Sequence, residues 1–245
     1  MRHFGIIGYP LLHSFSAKYF SEKFAREHID AEYSLYPVKG ERLKVKGERL
    51  KVKVERLLTE LDGFNVTMPY KQAIIPYLDR LDETAQAVGA VNVVHQRVGY
   101  NTDCLGFIES IRPLLRAYDK HAIVLGTGGA SKAVCYGLKQ LGIEPTLVSR
   151  TPKEGMLGYT DLTEEVMTRH TIIVNCTPLG MVPDVDSCPD IPYEKITARH
   201  LLFDCIYNPE ETLFLRKGKA QGATVQNGIG MLYGQAKEAW KIWSN

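Results

Sequence analysis

The sequence predicts an α/β protein of two lobes, each built on a largely parallel sheet. Three observations predict it. Short apolar runs alternate with helical segments along the whole chain, the mark of repeated strand–helix units. A glycine-rich string, Gly126-Thr127-Gly128-Gly129-Ala130-Ser131, falls between an apolar strand and a helix, where a dinucleotide-binding turn belongs. Ahead of it stand two polar strings, Asn65-Val66-Thr67-Met68-Pro69-Tyr70-Lys71 and Asn101-Thr102-Asp103, at chain positions where α/β enzymes bind ligands.

In the first lobe, Phe4–Gly8 reads as a buried strand and not as a signal peptide, because turn residues follow at once. Ala17–His28 is an amphipathic helix with Phe20, Phe24 and His28 on one face. Tyr33–Val38 is a second strand. The heptad Val38–Lys44 is repeated as Val45–Lys51 and, less closely, as Val52–Leu58, too few and too short for a solenoid. It reads as a tandem duplication on a solvated surface, its lysines offset by Glu41, Glu48 and Glu55. Leu50, Val54, Leu57, Leu58 and Leu61 keep helical spacing, so a helix is placed near Arg49–Leu61; Gly47 would cost it roughly 1 kcal/mol further upstream. Gly63–Thr67 is a third strand, Gln72–Leu78 a helical segment, Asp79–Val88 a short helix and Val91–Arg97 a further strand.

The second lobe begins near Asp103–Leu105. Leu105–Tyr118 is helical despite Pro113, His121–Leu125 a strand, Ala130–Leu141 a helix and Thr146–Ser149 the next strand. Thr171–Asn175 and Leu201–Asp204 are buried strands, and Thr212–Gln221 and Met231–Trp243 are closing helices. The expected division is 1–103 with about 228–245 against 104–227, the last helix packing back on the first lobe.

Composition limits the functions open to the chain. A formal net charge of +2 in 245 residues gives no reason to expect nucleic acid, and no apolar run nears the ~20 residues that span a bilayer. Five cysteines, without a CxxC pair, read as reduced, mostly buried thiols of a cytoplasmic protein, and no metal site is expected.

In the glycine string, Gly126 permits a tight turn and Gly128 lets backbone N–H groups approach a pyrophosphate. The helix opening at Gly129 points its positive end at those phosphates. Ser131 stands where the fingerprint has Gly or Ala. About 20 residues on, an NAD-specific fold carries an acid for the ribose 2′-hydroxyl. Here the string is Ser149-Arg150-Thr151, with Lys153 nearby, which suits a 2′-phosphate and so NADP(H); the bland reading of Arg150 is a solvated loop charge. Lys71 and Asp103 can form a poised proton donor, though most such charges are surface ones. Ser16 is a plausible helix N-cap, and Ser14 with Ser16 suits a substrate carboxylate. Thr67 and Asn92 are short groups able to read hydroxyls.

The strings GYPLLHSFS (Gly8–Ser16), NVTMPYK (Asn65–Lys71), GAVNVV (Gly89–Val94), NTDCLGF (Asn101–Phe107), GTGGAS, SRT (Ser149–Thr151), NCTPLGM (Asn175–Met181), DCIYNP (Asp204–Pro209) and NGIGMLYGQA (Asn227–Ala236) run the length of the chain. In this order they resemble the shikimate/quinate dehydrogenase family. The resemblance implies a substrate-binding domain with a mixed, mainly parallel sheet and a Rossmann-like NADP-binding domain. It implies reversible, NADPH-dependent reduction of 3-dehydroshikimate to shikimate in aromatic amino-acid and chorismate biosynthesis, by a cytoplasmic monomer or homodimer without nucleic-acid or membrane partners.

Carried over residue by residue, Lys71 and Asp103 are the catalytic pair, and Ser14, Ser16, Thr67, Asn92, Tyr207 and Gln235 meet the substrate. Gly126, Gly128, Gly129, Ala130, Ser131, Ser149, Arg150, Thr151, Thr177 and Met231 meet NADP. The chain departs from the family pattern at Ala17, where Pro is usual, at Cys104, where Gly is usual, and at Ser149, where Asn is usual. Alternatives are a dehydrogenase that also accepts quinate and a non-catalytic sensor of NADP(H) or shikimate. Methylene-tetrahydrofolate dehydrogenases and glutamyl-tRNA reductases have a similar cofactor lobe, but Ser14, Ser16 and NVTMPYK argue against both.

Overall fold

The computed structural model describes residues 1–11, 14–39 and 46–244, without the side chains of 46–49. It divides into two compact units, Met1–Thr102 with Ala236–Asn245, and Asp103–Gln235. The return to the first unit thus comes at Ala236, inside a helix, and not near 228.

The first unit contains β1 (Arg2–Gly8), α1 (Phe15–Arg26), β2 (Ala31–Pro37), α2 (Lys46–Glu60), β3 (Gly63–Val66), β4 (Arg80–Leu81), α3 (Glu83–Val88), β5 (Val93–His95) and β6 (Val98–Tyr100). Its sheet has the order β2-β1-β3-β5-β6-β4. β3–β5 and β5–β6 are antiparallel and the other pairs parallel, so the sheet is mixed. One face is covered by Leu50, Val54 and Leu57 of α2, which spacing had assigned to a helix. That helix begins at Lys46 and takes in Gly47; first-turn N–H groups have no intrahelical partner, so glycine costs less there than mid-helix. The heptad ahead of it lies mostly outside the described residues. The other face carries Phe20 and Phe24 of α1 with Phe4, Tyr33 and Trp243. Phe4 stacks on Trp243 at 4.9 Å between ring centroids, and Trp243 Nε1 donates to Val94 O at 3.2 Å. The C-terminal segment is therefore part of this unit's core, and a Cβ on Gly63 would strike the indole.

Four expectations are corrected here. His28 is exposed at φ 53°, beyond the end of α1, because the chain turns left-handed there towards β2. Gln72–Leu78 is a series of turns with a 3₁₀ turn at Ile75–Tyr77, since Pro76 removes a donor that a helix would need. Asp79–Val88 splits, Asp82 capping α3 by accepting from Ala85 N at 2.8 Å, with β4 before it. Val91–Arg97 is the first arm of a β5–β6 hairpin whose two-residue turn, Gln96-Arg97, has both φ values positive (48° and 62°). Such turns favour Asn and Gly, and neither is present, so the hairpin left no signal.

The second unit holds α4 (Asp103–Ile111), β7 (His121–Leu125), α5 (Gly129–Gln140), β8 (Glu144–Val148), α6 (Glu164–Arg169), β9 (Ile172–Asn175), β10 (Leu201–Asp204), α7 (Leu213–Ala220), β11 (Thr224–Gln226) and the first part of α8 (Ile229–Ser244). Its five strands are all parallel, in the order β11-β10-β9-β7-β8. Pro113 ends α4 at Ile111 and leaves a 3₁₀ turn, where a longer helix was expected. Cys104 sits within α4, a conformation open to any residue, so glycine is not required there.

α4 meets α8 backbone to backbone. A Cβ on Gly106 would collide with Met231 O and lie 2.8 Å from Gln235 N, and one on Gly234 would lie 2.9 Å from Gly106 Cα. Gly106→Ala gains about 1 kcal/mol of helix propensity, but the collision is with main chain, which cannot swing aside, and overpacking costs up to about 3 kcal/mol. The variant is expected to be destabilised, by up to about 2 kcal/mol, in chemical denaturation; a gain in stability would contradict this packing.

Candidate functional site

Parallel pairing of β1 with β3 sets Ile6 opposite Asn65 and Ile7 opposite Val66. Two loops therefore leave the same end of the sheet. They are pinned together: Thr67 N donates to Ile7 O and Tyr9 N to Met68 O, both at 2.9 Å. A Cβ on Gly8 would strike Thr67 Cγ2, so glycine is what lets the loops approach. The first loop carries Ser14 and Ser16, the second Thr67 and Lys71. Lys71 is half-buried in a turn, not at a helix start as expected, and its carbonyl accepts from Val91 N at 2.7 Å. Ser14, not Ser16, is the N-cap of α1, its Oγ accepting from Ala17 N at 3.4 Å. Ser16 is the second helical residue and is buried.

The same unit holds a buried polar ladder. Ser16 neighbours the Tyr33 phenol. Tyr33 Oη donates to Asn65 Oδ1 at 2.6 Å, and Asn65 Nδ2 donates to Asn92 O at 3.2 Å. Asn92 and Thr102 bond reciprocally: Asn92 Nδ2 to Thr102 Oγ1 at 2.9 Å, and Thr102 N to Asn92 Oδ1 at 2.7 Å. Asn101 Nδ2 donates to Ala90 O at 2.8 Å. Burial pushes the Tyr33 phenol well above its usual range, so it stays a donor. A buried polar group left unpaired costs about 1–3 kcal/mol, and no buried side-chain N or O lacks a partner among the described residues. Sequence reading singled out Ser16 and Asn92 but missed Tyr33 and Asn65 as their supports. The available signal was an asparagine inside an apolar strand, which must find a partner.

In the second unit Asp103 is buried as the first residue of α4, where a turn was expected; a helix N-terminus favours a carboxylate there. Gln235 is buried on α8, its Nε2 donating to Leu232 O at 3.0 Å. After β7 the chain turns at Gly126, φ 105°, a conformation that favours glycine. A Cβ there would lie 3.3 Å from the Cys176 carbonyl, so the turn rests on the loop after β9.

Gly128 differs. Its φ is −81°, which any residue adopts, and a Cβ there would meet nothing within 4 Å. It is the N-cap of α5, without a side-chain cap and without an acid in the first turn. Glycine is tolerated at an N-cap, but neither the backbone angles nor the neighbouring atoms require it here. An anion brought close to the first amides of α5 does. Ser131 Oγ donates to Gly128 O at 2.7 Å and holds the turn; Gly129 and Ala130 are half-buried beside it. At the end of β8, Ser149 Oγ accepts from Thr151 N at 3.2 Å, and Arg150 and Thr151 are exposed, with no acid in the string. The residues present fit a phosphorylated dinucleotide.

The ends of β9 and β10 are fixed by a second polar network. Asn175 Oδ1 accepts from Thr177 N at 3.0 Å and Thr177 Oγ1 at 2.7 Å. Asn175 Nδ2 donates to Asp204 Oδ1 at 3.1 Å, and Asp204 also accepts from Ile206 N at 3.0 Å and Thr212 Oγ1 at 2.6 Å. Tyr207 follows on the same loop, partly exposed, its phenol pushed up by burial. Met231 lies in the core with Phe107, Ile111 and Phe203. Asn175, Asp204 and Thr212 were not read from sequence as site supports.

Residues 6–94 match the model of the shikimate dehydrogenase substrate binding domain. The NADP(+) shikimate dehydrogenase of Methanosphaera stadtmanae is 35% identical, over 98% of this chain and 90% of its own length. That of Aquifex aeolicus is 36% identical over the same shares. The chain belongs to the shikimate dehydrogenase family. A Thermus thermophilus shikimate 5-dehydrogenase crystallised with NADP(H) and shikimate superposes with a TM-score of 0.86 at 29% identity, covering all of this chain and 94% of that one. The stretch matched to the family's substrate-binding model takes in Ser14, Ser16, Thr67, Lys71 and Asn92.

Burial pushes the Asp204 carboxyl up to about 6, outweighing the three hydrogen bonds that favour its ionised form. The folded state thus binds a proton more tightly than the unfolded chain. Stability is expected to fall by roughly 2–3 kcal/mol as pH rises from about 4 to about 6. Asp204→Asn should remove that part of the profile, read by urea denaturation across this range. A profile rising through the window because of Asp204 would contradict the assignment.

Proposed function

We propose that the chain catalyses the reversible, NADPH-dependent reduction of 3-dehydroshikimate to shikimate. The observation that carries this reading is Gly128, an open, uncapped helix start where neither backbone angles nor neighbouring atoms require glycine, in a chain whose relatives are NADP-dependent shikimate dehydrogenases. Gly126, Gly128, Gly129, Ala130 and Ser131 cradle the cofactor's pyrophosphate. Ser149, Arg150 and Thr151 hold its 2′-phosphate, and Thr177 and Met231 complete its site.

NADPH supplies the hydride. The chain's own residues bind and orient the substrate and manage the proton. Ser14 and Ser16 hydrogen-bond the substrate carboxylate; Thr67, Asn92, Tyr207 and Gln235 fix its ring. As the carbonyl carbon is reduced, negative charge grows on its oxygen, and Lys71, cationic, donates a hydrogen bond and then a proton there. Asp103 orients the lysine and relays to it a proton taken from solvent. Much of the rate comes from holding the reacting centres in register. The chain works on small molecules, as a cytoplasmic monomer or homodimer without nucleic-acid or membrane partners. Its small net charge is in keeping with this, and no helix among the described residues is long and apolar enough to cross a membrane.

The test is absorbance at 340 nm with shikimate and quinate crossed against NADP⁺ and NAD⁺. Turnover should be fastest with shikimate and NADP⁺, and binding without turnover would overturn the proposal. Lys71→Ala is expected to lower kcat by roughly two to four decades, with KM for shikimate changed much less; an unchanged kcat would remove Lys71 from the mechanism. Arg150→Ala is expected to raise KM for NADPH about tenfold or more, the scale of a lost charge-assisted hydrogen bond, while leaving KM for NADH unchanged. Equal effects on both would return Arg150 to a solvated charge.

A further inference from the structure

Cys176 is the first residue after β9, and Cys205 the first after β10. These strands pair in parallel with Asn175 opposite Asp204, and Cys205 N donates to Asn175 O at 2.9 Å, so the cysteines occupy the next register position. Their sulfurs are 3.6 Å apart. Neighbouring strands lie about 4.8 Å apart, inside the roughly 4.4–6.8 Å between Cα atoms that a disulfide bridges. Both side chains are half-buried at the margin of the core, within reach of solvent. Of the chain's three other thiols, Cys104 and Cys135 are also pushed up by burial, to about 12 and about 11.

We propose that Cys176 and Cys205 are a modification site that closes a reversible intramolecular disulfide, with a low-molecular-weight disulfide as oxidant. The hydrogen bond between the two sulfurs, with burial, pushes the Cys176 thiol well above its usual range, and either sulfur can donate to the other. We assign the first attack to Cys205: its S–H proton goes to solvent, its sulfur attacks one sulfur of the oxidant, the oxidant's S–S bond breaks, one small thiolate leaves, and a mixed disulfide remains on Cys205. Cys176 gives its proton to solvent and attacks Sγ of Cys205, expelling the second small thiolate. Two protein thiols are oxidised and one disulfide is reduced to two thiols. The bond joins the loop carrying Thr177 to the loop carrying Tyr207. The proposal stands on the sulfur geometry and does not depend on the reaction the enzyme catalyses.

The test uses the full chain, reduced, freed of reductant and equilibrated with glutathione disulfide, then alkylated, digested and analysed by mass spectrometry. The expected product is a peptide pair joined through Cys176 and Cys205, lighter by two hydrogen atoms than the separate peptides and released by dithiothreitol. Cys176→Ala, which keeps a small apolar group at the site, should trap glutathione on Cys205, and neither Cys176→Ala nor Cys205→Ala should give the joined pair. Absence of the joined pair in the wild-type protein, a glutathione adduct that persists on its Cys205, or joining through other cysteines would overturn the proposal.

Discussion

The first unit depends on the pairing of Asn92 with Thr102. Each supplies the other's missing partner inside the core, and the bond closes a ladder that begins at Tyr33 and passes through Asn65. Asn65 stands in β3, the strand that leads into the loop carrying Thr67 and Lys71. Polar groups buried in this way cannot shift singly, because each move strands a partner at a cost of about 1–3 kcal/mol. The side chains proposed to meet substrate are thereby held on a support that does not yield. The Asn92 amide, read from sequence as ligand-facing, has a structural duty in this ladder.

The second unit solves a different problem with the same means. Its glycine turn leans on the loop after β9, which Asn175 holds through Thr177, and Asn175 is anchored in turn on Asp204. A carboxyl group is buried to secure two loops at once, and its raised proton affinity is the cost of that position. At the end of the turn the protein leaves its helix uncapped. Four other helices recruit a side-chain oxygen for that place, from Ser14, Asp82, Thr163 and Thr212. α5 instead presents glycine and open space.

Much of this was legible in the sequence. His121–Leu125 and Leu201–Asp204 were bounded to the residue, because continuous apolar runs in parallel sheets carry no competing signal. The two-lobe α/β architecture and the glycine turn followed from the same alternation. What escaped was set by tertiary context. The Gln96–Arg97 hairpin runs against turn preference, and β11 is three half-buried residues that mean nothing without β10 beside them. Ser14 took the capping role expected of Ser16, because two serines at a helix start are equivalent in sequence. Asn65 and Asp204 could be seen as polar residues in apolar strands, but Tyr33, Asn92 and Asn175, which bond them from other strands and loops, lie 27 or more residues away in the chain.

The central proposal is that the open helix start of α5 holds the cofactor, apart from the first unit's loops that carry Ser14, Thr67 and Lys71 for the substrate. The most direct measurement of that division is a pair of calorimetric titrations on Gly128→Val, a change that the backbone angles and the empty space at this position accommodate. The account predicts an unchanged melting temperature, retained affinity for shikimate, and NADPH affinity weakened at least about tenfold as the new side chain blocks close approach to the amides of α5. NADPH bound by the variant as tightly as by the wild-type protein would contradict it.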